Sequence, residues 1–175
     1  EVDMDPGATV TGTIFGPDGN PVTAGFGGVR VRVFDDNGEP AGFRFIAPQP
    51  SGQPPTNTSY TAELPPGQWF FLFETSDANL GLVDTAFGGQ PCPRGSCGMA
   101  TTQPIEVSAG EELTGFDGQL SEGAQLQGQL LNDDEMDDPP LPEFSTIFFY
   151  DADGDYASFG LSDANGDFLS RTGLP

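Results

Sequence analysis

The chain has 175 residues, of which 27 are acidic and five are arginine; with no lysine and no histidine, its formal net charge is −22. That charge repels phosphate backbones and anionic lipid, which argues against nucleic-acid binding and direct membrane docking, and it suits a salty or calcium-rich medium. The missing residue types remove Ser-His-Asp and Cys-His nucleophile systems, imidazole metal ligands, Schiff bases and lysine isopeptide crosslinks. A carboxylate pair alone could still hydrolyse glycosides, but no pair stands out among the acids, so no enzymatic activity is expected.

Strand patterns run the length of the chain. Residues 8–15, 28–34, 41–46, 58–64 and 67–75 are rich in β-branched and aromatic side chains, and most alternate apolar with polar positions. Shorter strands are predicted at 81–87, 103–108 and 112–120. Turn signals separate them: Pro17-Asp18-Gly19-Asn20-Pro21, Asp36-Asn37-Gly38-Glu39 and Pro65-Pro66-Gly67. Glycine supplies positive φ in such turns, and proline presets φ while removing a donor. No stretch sustains a 3.6-residue period with caps. Seven or so short strands at this spacing predict an antiparallel β-sandwich. Glycine (25) and proline (17) make up about a quarter of the chain, but 15 phenylalanines and the clear alternation favour a packed core over disorder.

The chain also repeats itself. Gly7 to Gly12 aligns with Gly123 to Gly128, and Val31 to Gly38 with Ile147 to Gly154, both at an offset of 116. Leu64-Pro65 corresponds to Leu174-Pro175, so residues 66–122 have no counterpart, and residues 1–6 match Asp117 to Glu122. These matches predict one complete sandwich repeat over 1–118 and the first half of a second over 119–175, excerpted from a longer tandem array. A first repeat of roughly 116 residues is large enough to fold alone. Copy one carries a proline-rich loop, 47–57, where copy two has only Asp163-Ala164-Asn165-Gly166-Asp167. Asn57-Thr58-Ser59 beside that loop matches the N-glycosylation pattern. No apolar run reaches the roughly 20 residues needed to span a bilayer as a helix.

The run Gly12-Thr13-Ile14-Phe15-Gly16-Pro17-Asp18-Gly19-Asn20-Pro21-Val22 resembles the opening of carboxypeptidase-regulatory-like domains. These are similar to the transthyretin-like and CnaB-type sandwiches of secreted bacterial surface proteins. Asp163-Ala164-Asn165-Gly166-Asp167-Phe168 and Leu64-Pro65-Pro66-Gly67-Gln68-Trp69 resemble later motifs of that family, and Gly89 to Cys97 looks like a cysteine-containing insert found in such repeats. The resemblance implies an all-β, Ig-like or prealbumin-like sandwich at the cell surface or outside the cell. It implies a non-catalytic stalk, spacer, fibre subunit or adhesive module whose partners are neighbouring repeats or subunits.

Four groups of residues are candidates for function. Cys92 and Cys97, in a Pro/Gly loop, suit a local disulfide in an exported protein, worth about 2 kcal/mol by loop entropy; half of a zinc site is the rival. Asp151, Asp153 and Asp155 resemble the start of a calcium loop, but Tyr156 and Ser162 stand where an EF-hand needs Gly and Glu. Turn chemistry competes with calcium there, as solvation does at the acidic run Asp133 to Asp138. Trp69, and Phe148 where copy one has Arg32, are the aromatic candidates for holding polysaccharide or a protein partner. Core burial is the competing expectation for Trp69, and cover by a neighbouring domain for Phe148.

Overall fold

The computed structural model describes residues 7–22, 28–46, 58–75, 80–131 and 144–174, with the side chains of 43–46 excepted. The 47–57 loop with Asn57, the acidic run 133–138 and Pro175 lie outside these residues. Strand β1 (Ala8–Phe15) buries Ala8, Val10 and Ile14 on one face, as its alternation predicts, and pairs antiparallel with β4 (Ser59–Leu64) from Ala8 opposite Leu64 to Thr13 opposite Ser59. Facing it is the sheet built from β2 (Val29–Phe34), β3 (Pro40–Ile46) and β5 (Gly67–Thr75), with β2 in the middle. Past Leu82–Val83 (β6), β7 (Thr85–Ala86) extends that sheet, and β8 (Ile105–Val107) pairs with β5. Val10, Ile14, Val31, Phe71, Phe73 and Leu120 interdigitate between the two layers with almost no exposure. Each such side chain contributes about 1.5–3 kcal/mol relative to an exposed one. The chain is an all-β sandwich.

Three details depart from the expected antiparallel pattern. The predicted strand at 81–87 is broken at Asp84, whose backbone carbonyl accepts the Cys92 N–H at 2.7 Å. The predicted strand at 112–120 is two short strands, β9 (Glu112–Leu113) and β10 (Gly118–Gln119), and both run parallel to β1. The closing segment returns along the outer edge of β1, where Phe116 N–H bonds the Thr11 carbonyl at 3.1 Å and Leu120 N–H the Phe15 carbonyl at 2.8 Å. Leu120 is fully buried in the core, two residues past the expected boundary at 118.

Beyond β11 (Ser121–Glu122) lies a second β region: β12 (Gln127–Gln129), β13 (Thr146–Tyr150), β14 (Tyr156–Ser162) and β15 (Asp167–Ser170). These make one open sheet in the order β12-β15-β14-β13. In the first region β4 pairs with β1 instead, across the sandwich from β3. The five-residue turn Asp163–Asp167 is short enough to hold β14 and β15 side by side as a hairpin. Among the described residues every exposed large apolar side chain lies in this part of the chain: Leu126, Leu131, Phe144, Phe148 and Tyr150.

Candidate functional site

The run Phe70-Phe71-Leu72-Phe73 is buried on both faces, which a strand with one wet face would not be. Phe71 and Phe73 enter the sandwich core. Phe70 and Leu72 point outward with Phe34 and Ala86, and there they meet Cys92 and Met99. The cysteine loop is therefore a lid over the outer face of the β2–β5 sheet. Cys92 and Cys97 form the predicted disulfide, with Cα atoms 4.9 Å apart, and the half-zinc alternative is set aside. Asp84 holds the lid from beneath: its carboxylate accepts the N–H of Thr75 at 3.2 Å and of Arg94 at 3.0 Å. Burial, with Glu74 nearby, pushes the Asp84 carboxyl up to about 7, against the pull of those two donors and of Arg94.

Arg94 sits at the crest of the lid with φ 55°, a left-handed conformation that costs a non-glycine residue about 1 kcal/mol or more. The disulfide, Pro93 and the Asp84 carboxylate hold it there. Its guanidinium lies over two rings of β14, 5.2 Å from the Phe159 centroid and 5.7 Å from Tyr156, while Arg171 covers Phe159 at 5.6 Å. Phe148 and Tyr150 approach Tyr156 edge-on, each with centroids 6.0 Å away. The result is one aromatic face, closed at one end by two arginines and open at the other, where Phe148 is 57% and Tyr150 61% exposed. Of the adjacent pair Phe148 and Phe149, Phe148 faces outward, and Phe149 turns to Phe168 on the opposite face. The contact between Arg94 and β14 joins residues over 60 positions apart, and no local pattern signals it.

A second junction lies where the two β regions meet. Gly123 N–H bonds the Gly81 carbonyl at 3.0 Å, and Gly173 N–H the Leu82 carbonyl at 2.9 Å. A Cβ at Gly123 would fall 2.5 Å from Val83 Cγ2 and 2.8 Å from Gly173 Cα; at Gly173 it would collide with the Gly81 carbonyl oxygen. Gly173 occupies the position of Glu63 in the repeat alignment, an exchange the sequence comparison could have flagged.

The remaining candidates are placed differently. Trp69 packs against the sandwich core and donates its ring N–H to the Pro65 carbonyl at 2.9 Å, so its side chain is committed within the fold. Asp151 Oδ1 accepts the N–H groups of Asp153 (3.0 Å) and Asp155 (2.9 Å), the hydrogen bonding of a turn. Asp163 does the same for Asn165 and Asp167, and Asp35 for Asn37 and Glu39. Among the described residues no three acidic or cysteine side chains converge to hold a metal. Hydrogen bonds from Asn20 hold Asp18 below the usual carboxylate range, and the Glu39 N–H does so for Asp35. A shallow cavity lined by Arg30, Arg32 and Pro40–Gly42 is basic, but Glu74 bonds both guanidinia, at 2.7 and 3.2 Å.

These features define an all-β sandwich with a disulfide lid, against which a second, open sheet is docked. No family model matches the chain, and no curated protein matches it. Among solved structures it is similar to "The Bacillus anthracis TIE protein", over 94% of this chain and 26% of that one, at 12% identity and a TM-score of 0.42. The chain spans about a quarter of that protein, and a likeness this distant carries no argument about function.

Proposed function

We propose that the chain is a non-catalytic structural or adhesive module of an extracellular or cell-surface protein. It is built as tandem β-sandwich repeats of the carboxypeptidase-regulatory-like and CnaB type and serves as a stalk, spacer or fibre subunit. One observation carries the repeat: strand register recurs at the offset of 116. Arg32 faces Phe43 as Phe148 faces Phe159, and Val33 faces Gly42 as Phe149 faces Ser158. Both hairpins then slip register at the equivalent step, Val33/Phe34 and Phe149/Tyr150. Unrelated hairpins share a register easily, but a shared bulge is a specific feature of a fold. Ala8 opposite Leu64 likewise has a counterpart in Ala124 opposite Leu174. The disulfide supports an oxidising compartment, and the acidic surface supports solubility there.

A second reading, a carbohydrate- or protein-binding module, is favoured by the exposed rings of Phe148 and Tyr150, which offer an apolar platform. A glycan array separates the two. The structural reading expects no reproducible binding; binding abolished by Phe148→Ala or Tyr150→Ala overturns it in favour of the second.

A further inference from the structure

The two β regions are attached at two places of different character. At the first, Gly81, Gly123 and Gly173 meet backbone to backbone, with main-chain hydrogen bonds from Gly123 to Gly81 and from Gly173 to Leu82. A junction of glycines has no interlocking side chains and can bend. At the second, Arg94 at the crest of the cysteine lid lies over Phe159 and Tyr156 of β14, at 5.2 and 5.7 Å. Two points of attachment fix an angle that one leaves free. What holds Arg94 therefore decides whether the second region is locked. Its φ of 55° is one that a non-glycine residue leaves when free to relax. Within the lid, Gly95 N–H bonds the Cys92 carbonyl and Ser96 N–H the Pro93 carbonyl, both at 3.0 Å, and the Cys92–Cys97 bond closes the turn across its base. The Asp84 carboxylate accepts the Arg94 N–H from beneath. Arg171 covers Phe159 as well, so two like charges meet at one ring and oppose the contact. Loop strain and charge repulsion both favour release once the lid is opened.

We propose that the cysteine lid is a redox-released clasp: with the disulfide closed it locks the second β region against the first, and reduction by a small dithiol lets that region swing about the glycine junction. The two sulfurs differ in access. Cys97 is half-buried, whereas Cys92 is fully buried beside Phe70, Leu72 and Met99. The thiolate of the dithiol attacks Cys97 Sγ, the S–S bond breaks, and its electron pair leaves on Cys92 Sγ, which takes up a proton. The Cys97 N–H donates to Cys92 Sγ at 3.4 Å and eases its departure as thiolate. The second thiol of the reductant then displaces Cys97, which is protonated in turn. The dithiol is oxidised to its own disulfide, and its two electrons and two protons pass to the cysteine pair. The clasp depends neither on the repeat nor on the function proposed above.

The test compares the full chain oxidised and after treatment with dithiothreitol, with thiol titration confirming that both cysteines are free. Residual dipolar couplings read the relative orientation of the two regions. In the oxidised chain one alignment tensor is expected to fit the amides of β2 and β5 together with those of β14 and β15. After reduction the shared tensor is expected to be lost, while hydrogen exchange at the core amides Val31 and Phe71 stays unchanged. Arg94→Ala in the oxidised chain is expected to release the second region to the same extent, and reducing that variant is expected to add nothing. A tensor still shared after reduction overturns the clasp. Further release when the Arg94→Ala variant is reduced also overturns it, because the disulfide would then act by another route. Faster exchange at Val31 on reduction does so as well, since the bridge would then be holding the sandwich and not the joint.

Discussion

Replacing Gly173 by alanine adds one methyl group where the backbone has no room for it. The new Cβ would meet the Gly81 carbonyl oxygen and lie 2.9 Å from Gly123 Cα. Both are main-chain atoms, so the strain cannot be relieved by a rotamer change. Overpacking of this kind costs about 1–3 kcal/mol. Opening the junction instead gives up the Gly173-to-Leu82 and Gly123-to-Gly81 hydrogen bonds, worth about 1 kcal/mol each. Either route weakens the docked arrangement by about 2 kcal/mol, roughly a 30-fold gain in local opening. Native-state hydrogen exchange reads this directly: the amides of Gly123 and Gly173 are expected to exchange about 30-fold faster, while core amides such as Val31 change little. Glu63→Ala, at the aligned position on the exposed face of β4, is the control and is expected to shift stability by less than about 0.5 kcal/mol. Unchanged exchange at Gly123 and Gly173 in the alanine variant would refute the steric argument.

The Asp84 carboxyl, raised to about 7 by burial, holds a proton in the folded chain that the unfolded chain releases near its ordinary value of 3.8. Its contribution is full below the unfolded value and falls as pH rises through the folded one, by on the order of 4 kcal/mol as an upper bound. Melting between pH 5 and 8 is expected to show a decline that flattens in Asp84→Asn; equal slopes would contradict it. Reducing Cys92–Cys97 frees a five-residue separation and loosens the lid over Phe70 and Leu72, lowering Tm by roughly 5 °C. An unchanged melt after verified reduction would mean that the lid is held by packing alone. Arg94→Ala removes two cation–π contacts of about 0.5–1 kcal/mol each, and is expected to speed exchange in β14 without affecting β2. Calcium against chelator is expected to leave Tm unchanged, because the Asp151 carboxylate already serves its turn; a rise of several degrees with calcium would show the loop rearranging around an ion.

The strands were legible because short-range alternation decides which face of a pleat is buried, and β1, β2 and β5 follow that alternation or its apolar extension closely. The turns at Asp35, Asp151 and Asp163 were legible for the same reason, since an Asp two residues before Asn or Asp and three before Gly bonds its own backbone. What the sequence left hidden is non-local. The run Phe70 to Phe73 carries a two-sided apolar signal, but only the folded lid shows what covers the outer side. Asp84 interrupts an apolar strand, a visible oddity whose meaning depends on the Arg94 amide ten residues away. The pairing of Arg94 with Tyr156 and Phe159 leaves no periodic trace. The single open sheet follows from the short Asp163–Asp167 turn, which is visible in the sequence, but the strand order it imposes depends on pairing that no local pattern encodes.

The proposed repeat stands or falls on recurrence of the β2–β3 register and bulge in β13–β14. Solution NMR measures it without reference to side chains: α-protons face one another closely only at non-hydrogen-bonded antiparallel pairs. Strong α-proton contacts are expected for Arg32–Phe43 and Phe148–Phe159, with the pairing shifted by one residue beyond Val33 and Phe149 alike. A contact from Phe148 to Ser158 or Gly160 instead, or a bulge in one hairpin and not the other, would contradict the repeat and the function proposed from it.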